Sequence, residues 1–115
     1  MKNINDLTNR IIAFRDARDW SQFHNPKDVA LSLVLEATEV MEHFQWKDRK
    51  EIIQHVKLNR SEIGEELADV MYWVLLMSHD LKINLVDALE KKLSKNEEKY
   101  PVEKAKGKHT KYNKF

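Results

Sequence analysis

The sequence predicts an all-α protein, a four-helix bundle that assembles as a homo-oligomer, and three observations carry that prediction. The 115 residues include only two glycines and two prolines, where average usage would supply roughly 14 of the two together. A sheet fold needs many tight turns, and the residues that make them are missing. Apolar residues recur at intervals of three and four along most of the chain, the spacing of a helix face. Finally, the run Val70 to Met77 is apolar on every side. A four-helix domain of this length cannot surround one of its own helices, so self-association is expected to cover the rest.

The elements follow in order. Ile4, Leu7, Ile11 and Phe14 form one stripe of a helix over residues 4–19. Trp20 to His24 breaks the pattern and reads as a loop. Asn25-Pro26 is a helix start, an N-cap side chain followed by proline at the first helical position. That second helix should run to Phe44, with Ala30, Leu33, Ala37, Val40, Met41 and Phe44 facing inward. The polar stretch Lys47 to Lys50 then precedes a short amphipathic piece, Glu51 to Leu58. Asn59 with Glu62 resembles a capping arrangement and is expected to open a third helix, with the stripe Ile63, Leu67, Val70, Val74, Met77 and Leu81. Asn84 with Asp87 opens the last helix, which uses Val86, Leu89 and Leu93 and stops before Pro101. There is no internal repeat.

Composition sets further bounds. With no cysteine, disulfides, thiolate metal sites and cysteine nucleophiles are excluded. Val70 to Met77 is too short to span a bilayer, and the segment Met1 to Asp6 lacks the apolar stretch of a secretory signal. A cytoplasmic protein without a membrane partner is expected. Residues 102–115 hold five lysines and one acid, a balance of +4, which leaves −3 for residues 1–101. The division is therefore a helical body, 1–101, and a basic tail, 102–115. An acidic body does not suit nucleic acid, which calls for a basic face on the folded part. The tail reads either as a disordered solubilising segment or as a flap that meets an anionic ligand.

The acids carry the chemistry. Glu36 and Glu39 are the only charges between Ala30 and Val40, and being three apart they share a helix face. Glu66 and Asp69 repeat that spacing among Leu67, Ala68 and Val70. Packing the two helices together would collect four carboxylates, which cannot all stay ionised without a cation. Hard divalent ions with oxygen ligands fit, Mg²⁺ above all, with Mn²⁺ as its substitute. A di-iron site would need Glu-x-x-His on two helices. That spacing is absent, and His43 lies four residues after Glu39.

Aromatic residues flank the first acidic pair. Trp20, Phe23 and His24 precede the second helix and Trp46 follows it. They read either as plugs at the bundle end or as a stacking slot for a flat heterocycle, at roughly 1–3 kcal/mol per stacked base. His24 has ring nitrogens able to read a base edge. Lys92, Lys95, Asn96 and Lys99 share one polar face of the last helix. Beside a metal and an aromatic slot, they would complete a nucleotide site.

In these residues the chain resembles the all-α nucleoside triphosphate pyrophosphatases, the MazG-like superfamily, and most closely its dCTP pyrophosphatase branch. The family's Glu-x-x-Glu and later Glu-x-x-Asp are matched by Glu36, Glu39, Glu66 and Asp69. Residues 18–26 and 44–47 are similar to the branch's base-binding segments, 92–101 to its phosphate side and Lys111-Tyr112 to its closing tail. Trp73 stands where several relatives have tyrosine and would meet the sugar or phosphates.

The resemblance implies hydrolysis of a nucleoside triphosphate, dCTP or a base-modified analogue, to the monophosphate and pyrophosphate, a nucleotide-pool cleansing role. Water would attack the α-phosphorus with metal assistance, held or deprotonated by Glu36 or Glu39. Lys92, Lys95 and Asn96 would stabilise charge on the departing pyrophosphate, and the protein would be a dimer or tetramer. The competing class is a non-enzymatic helical interaction module whose acids are surface residues.

Overall fold

Asparagine starts three of the helices. In the computed structural model, which describes residues 2–114, Asn3 accepts a hydrogen bond from the Asp6 amide at 2.9 Å and opens α1 (Ile4–Ala17). Asn25 does the same for Asp28 at 2.9 Å, with Pro26 at the first position of α2 (Pro26–Glu42). Each side-chain oxygen satisfies one of the amides that a helix start leaves unpaired. Between α1 and α2, residues Ser21–Phe23 make one 3-10 turn.

The third helix corrects two expectations. Asp48 accepts from the Glu51 amide at 2.9 Å while Glu51 accepts from the Asp48 amide at 3.2 Å, a capping box. It starts α3 (Arg49–Asp80), 32 residues long and about 48 Å from end to end. The piece after Lys50 and the expected third helix are therefore one element, and Asn59 is not its cap. Asn59 instead marks a kink, at φ −125° and ψ 26°. Its amide nitrogen donates back to the His55 carbonyl oxygen at 3.1 Å. A short polar side chain competing for backbone groups bends a helix in this way without ending it.

Two compact units result, residues 1–82 and 83–115. In the first, α1 and α2 both pack on α3. Val29, Leu75 and Leu76 are buried there, as is Arg15, at 6% exposure. Arg15 Nη1 lies 2.7 Å from Asp80 Oδ2, tying α1 to the end of α3. Burial works to raise the Asp80 carboxyl's pKa, but the hydrogen bonds from Arg15 and His79 outweigh it and hold the group below the usual range.

Much of the expected inward face stays open. Met41 and Leu67 are exposed, as are Leu31, Val34 and Leu35 on α2. Within Val70 to Met77, Leu75 and Leu76 are buried while Met71 is 43% exposed.

The second unit holds α4 (Leu85–Lys99), capped by Asn84, which accepts from the Asp87 amide at 3.1 Å. A short α5 (Val102–Ala105) follows Pro101. The basic tail returns, its Tyr112 ring edge-on to Tyr100 with centroids 5.9 Å apart and 4.8 Å from Lys99 Nζ. Among the described residues no strand occurs, and no helix is long and apolar enough to cross a membrane.

The Arg15–Asp80 pair gives a stability test. Removing one partner of a part-buried pair leaves the other short of compensation, so Arg15→Ala should cost about 2 kcal/mol in urea unfolding, between a surface pair and a buried one. A loss below about 1 kcal/mol, the value of a surface pair, would contradict that role.

Candidate metal centre

Packing α2 on α3 brings the two acidic pairs together. One carboxylate oxygen from each of Glu36, Glu39, Glu66 and Asp69 lies within 4.8 Å of the others. Glu36 and Glu66 are half-buried, and Glu39 and Asp69 are exposed. The i, i+3 spacing on each helix is what puts both members of a pair on the facing side.

Proximity shifts both of the half-buried acids. Burial raises the Glu36 pKa, and the charges of Glu39 and Asp69 raise it further, while the Trp73 side chain works weakly the other way. A hydrogen bond shared with Glu39, then burial and the charges of its three neighbours, pushes Glu66 up to about 7. The cluster therefore holds protons that a carboxylate in water would have lost.

The residues fit a divalent cation. All four donors are hard oxygens, the set that Mg²⁺ and its relatives take. Glu36 Oε2 is also buried and lacks a hydrogen-bond partner, a vacancy costly to a polar atom and one a cation ligand does not suffer. Behind the cluster, His43 Nε2 lies 4.0 Å from Glu66 Oε1.

The other predicted residues separate into groups. His24 and Trp73 meet edge to face at 5.5 Å, which sets His24 beside the ring that faces Glu36. His24 also lines a cavity of about 340 Å³ with Arg15, Ser21, Asn25, Val29 and Asp80, and its Nδ1 is buried without a partner. Trp20 instead packs edge-on against Phe14 at 5.7 Å. Trp46 is 91% exposed, at a left-handed φ of 67°, and makes no ring contact among the described residues. In the second unit, Lys92 and Lys95 stand exposed on α4 and Asn96 is half-buried.

The sequence model of the MazG-like family matches residues 31–115. This chain belongs to the MazG-like family. The match takes in all four acids and the whole of α3 and α4. Among curated relatives, dCTP pyrophosphatase 1 of Mus musculus and that of Homo sapiens are each 32% identical over 95% of this chain. The chain spans 65% of the length of those two proteins. A solved structure of a pyrophosphatase from Archaeoglobus fulgidus superposes with a TM-score of 0.83 at 34% identity, over 88% of this chain and 94% of that one. The all-α fold and the family resemblance read from the sequence are both borne out.

In the sequence His43 enters only through the absent di-iron motif, and His55 carries no motif at all. His43 lies four residues after Glu39, one turn on and on the same face, which was the available signal. His55 is twelve residues beyond it, across a turn, and no local spacing joins them.

The raised pKa values set a pH dependence. A carboxyl whose folded pKa lies above its unfolded value stabilises the fold at low pH. That contribution is lost as pH rises from about 4.5 through about 7. Without metal, the melting temperature should fall between about pH 5 and pH 8, and saturating Mg²⁺ or Glu66→Gln should flatten the fall. Differential scanning fluorimetry in EDTA and in Mg²⁺ measures it. A Glu66→Gln variant with the wild-type slope would contradict the assignment.

Proposed function

We propose that this MazG-like chain is a Mg²⁺-dependent nucleoside triphosphate pyrophosphohydrolase, acting on dCTP or a base-modified dCTP in the cytoplasmic nucleotide pool. The observation that carries the reading is the cluster of four carboxylates within 4.8 Å. The names of the relatives, dCTP pyrophosphatase 1 and a pyrophosphatase, support it.

Glu36, Glu39, Glu66 and Asp69 would hold the cation, which when bound neutralises phosphate oxygens and acidifies a water. Glu36 or Glu39 accepts the proton from the water that attacks the α-phosphorus. In the metal-free cluster burial and charged neighbours raise the Glu36 pKa, the direction that makes a carboxylate a better proton acceptor. Trp73, beside Glu36, takes the sugar or phosphate side. Trp20, His24 and Trp46 take the base, the tryptophans by stacking and His24 through its edge. Lys92, Lys95 and Asn96 on α4 meet the charge on the departing pyrophosphate.

Self-association belongs to the same proposal. Leu31, Val34, Leu35, Leu67 and Met71 on α2 and α3 are all exposed, and a second copy of the chain would cover them as a homodimer or homotetramer.

A panel of nucleoside triphosphates with Mg²⁺, assayed for pyrophosphate, tests the activity, and dCTP should lead it. Glu36→Gln, Glu39→Gln, Glu66→Gln and Asp69→Asn should each lower turnover about 100-fold or more, since metal ligation supplies several kcal/mol at the transition state. Two such variants with near-normal rates at saturating Mg²⁺ would contradict the metal assignment. No pyrophosphate from any nucleotide would favour an interaction module.

The base slot has its own test. Trp20→Ala and Trp46→Ala should each weaken nucleotide binding by roughly 1–3 kcal/mol. The loss should appear in KM, because the base is held alike before and during reaction. A fall in melting temperature with unchanged KM would make the tryptophans structural.

A further inference from the structure

Behind the carboxylate cluster runs a chain of polar side chains that the proposed hydrolysis does not use. His43, its side chain 15% exposed, places Nε2 4.0 Å from Glu66 Oε1. Its Nδ1 lies 2.8 Å from Nε2 of His55. His55 Nδ1 in turn lies 3.1 Å from Asn59 Nδ2, and the same Asn59 nitrogen lies 3.1 Å from the His55 carbonyl oxygen. All four residues sit in the first unit, and Asn59 is the residue at the kink of α3.

The proton positions follow by elimination. A backbone carbonyl oxygen only accepts, so the Asn59 atom beside it is the amide nitrogen, which only donates. One of its hydrogens goes to the carbonyl and the other to His55 Nδ1, which is therefore unprotonated. Neutral His55 then carries its hydrogen on Nε2 and donates it to His43 Nδ1. His43, accepting at Nδ1, carries its own hydrogen on Nε2, the nitrogen nearer Glu66. Burial, with Lys47 and His43 nearby, holds the His55 pKa below its ordinary value, in keeping with the neutral ring. A single backbone carbonyl thus sets the direction of the whole chain.

We infer that His43, oriented by His55 and Asn59, is a positioning residue that presents an N–H donor to Glu66 and fixes that carboxylate for a divalent cation. The inference rests on the metal reading above. At 4.0 Å the approach is longer than a formed hydrogen bond, and Glu66 shares its hydrogen bond with Glu39. Once Glu66 gives up that shared bond to ligate a cation, the His43 N–H is the donor facing it. A ligand held from behind loses less freedom on binding, and such outer partners are worth about 10–100-fold in metal affinity. Asn59 and His55 are four residues apart and so share one face of α3, which brings the Asn59 side chain to His55.

Two measurements test this. In metal-free protein, long-range proton–nitrogen spectra of labelled histidines should show hydrogen on Nε2 of both His43 and His55, and hydrogen on Nδ1 of either ring overturns the chain. By calorimetry, His43→Leu should weaken Mg²⁺ binding about tenfold or more, while His43→Gln, whose amide nitrogen stands near the place of Nε2, should stay within about threefold. Melting temperatures within a few degrees of wild type show that both variants fold. Unchanged affinity in His43→Leu, or equal loss in both variants, overturns the inference alone. Wild-type protein that binds no Mg²⁺ overturns the metal reading, and this inference with it.

Discussion

One oxygen from each of Glu36, Glu39, Glu66 and Asp69 lies within 4.8 Å of the rest, and that crowding of like charge governs the chemistry of the first unit. Two helices that pack by their apolar faces would ordinarily turn such acids to water. Here they converge, and the cost shows in the protons they retain: Glu66 is pushed up to about 7 by its shared hydrogen bond with Glu39. Glu36 moves the same way through burial. A site that must either keep protons or take a cation suits a divalent metal.

The remaining features of the unit serve that convergence. The capping box at Asp48 starts α3 close behind the end of α2, so the two acidic pairs meet after a short turn. Arg15 and Asp80 fasten α1 to the far end of α3. Trp73 stands beside Glu36 and carries His24 on its edge. From Asn59 a directed line of hydrogen bonds runs through His55 to His43, behind Glu66. The structure thus surrounds a costly cluster with groups that fix its members.

How far the sequence disclosed this depends on whether a feature is local. All four acids were legible, because charge at i and i+3 inside an apolar run is a pattern within one helix turn. The starts of α2 and α4 were legible for the same reason, an asparagine cap marked by Pro26 next to it in one and by Asp87 three residues on in the other. Asn59 misled because the residue that caps a helix also bends one, and only the helix continuing on both sides decides between them. The true cap, Asp48 with Glu51, has the right spacing but lay in a polar stretch that read as a break. His43 and His55 were invisible as a pair, since they meet only after α2 and α3 pack. The inward stripes were only partly right: the buried Val29, Leu75 and Leu76 lie off them while Met41, Leu67 and Leu81 stay open, because spacing reports which face is apolar and not what covers it.

The central claim is that the four carboxylates are a metal site, and locating the ion tests it most directly. Crystals grown with Mn²⁺ in place of Mg²⁺ give an anomalous scattering signal from the metal alone. The account predicts a peak among the carboxylates of Glu36, Glu39, Glu66 and Asp69, at ligand distances of about 2.0–2.2 Å, which disappears in Glu36→Gln. Ordered, unliganded carboxylates in saturating Mn²⁺, or a peak held by other residues, would contradict it.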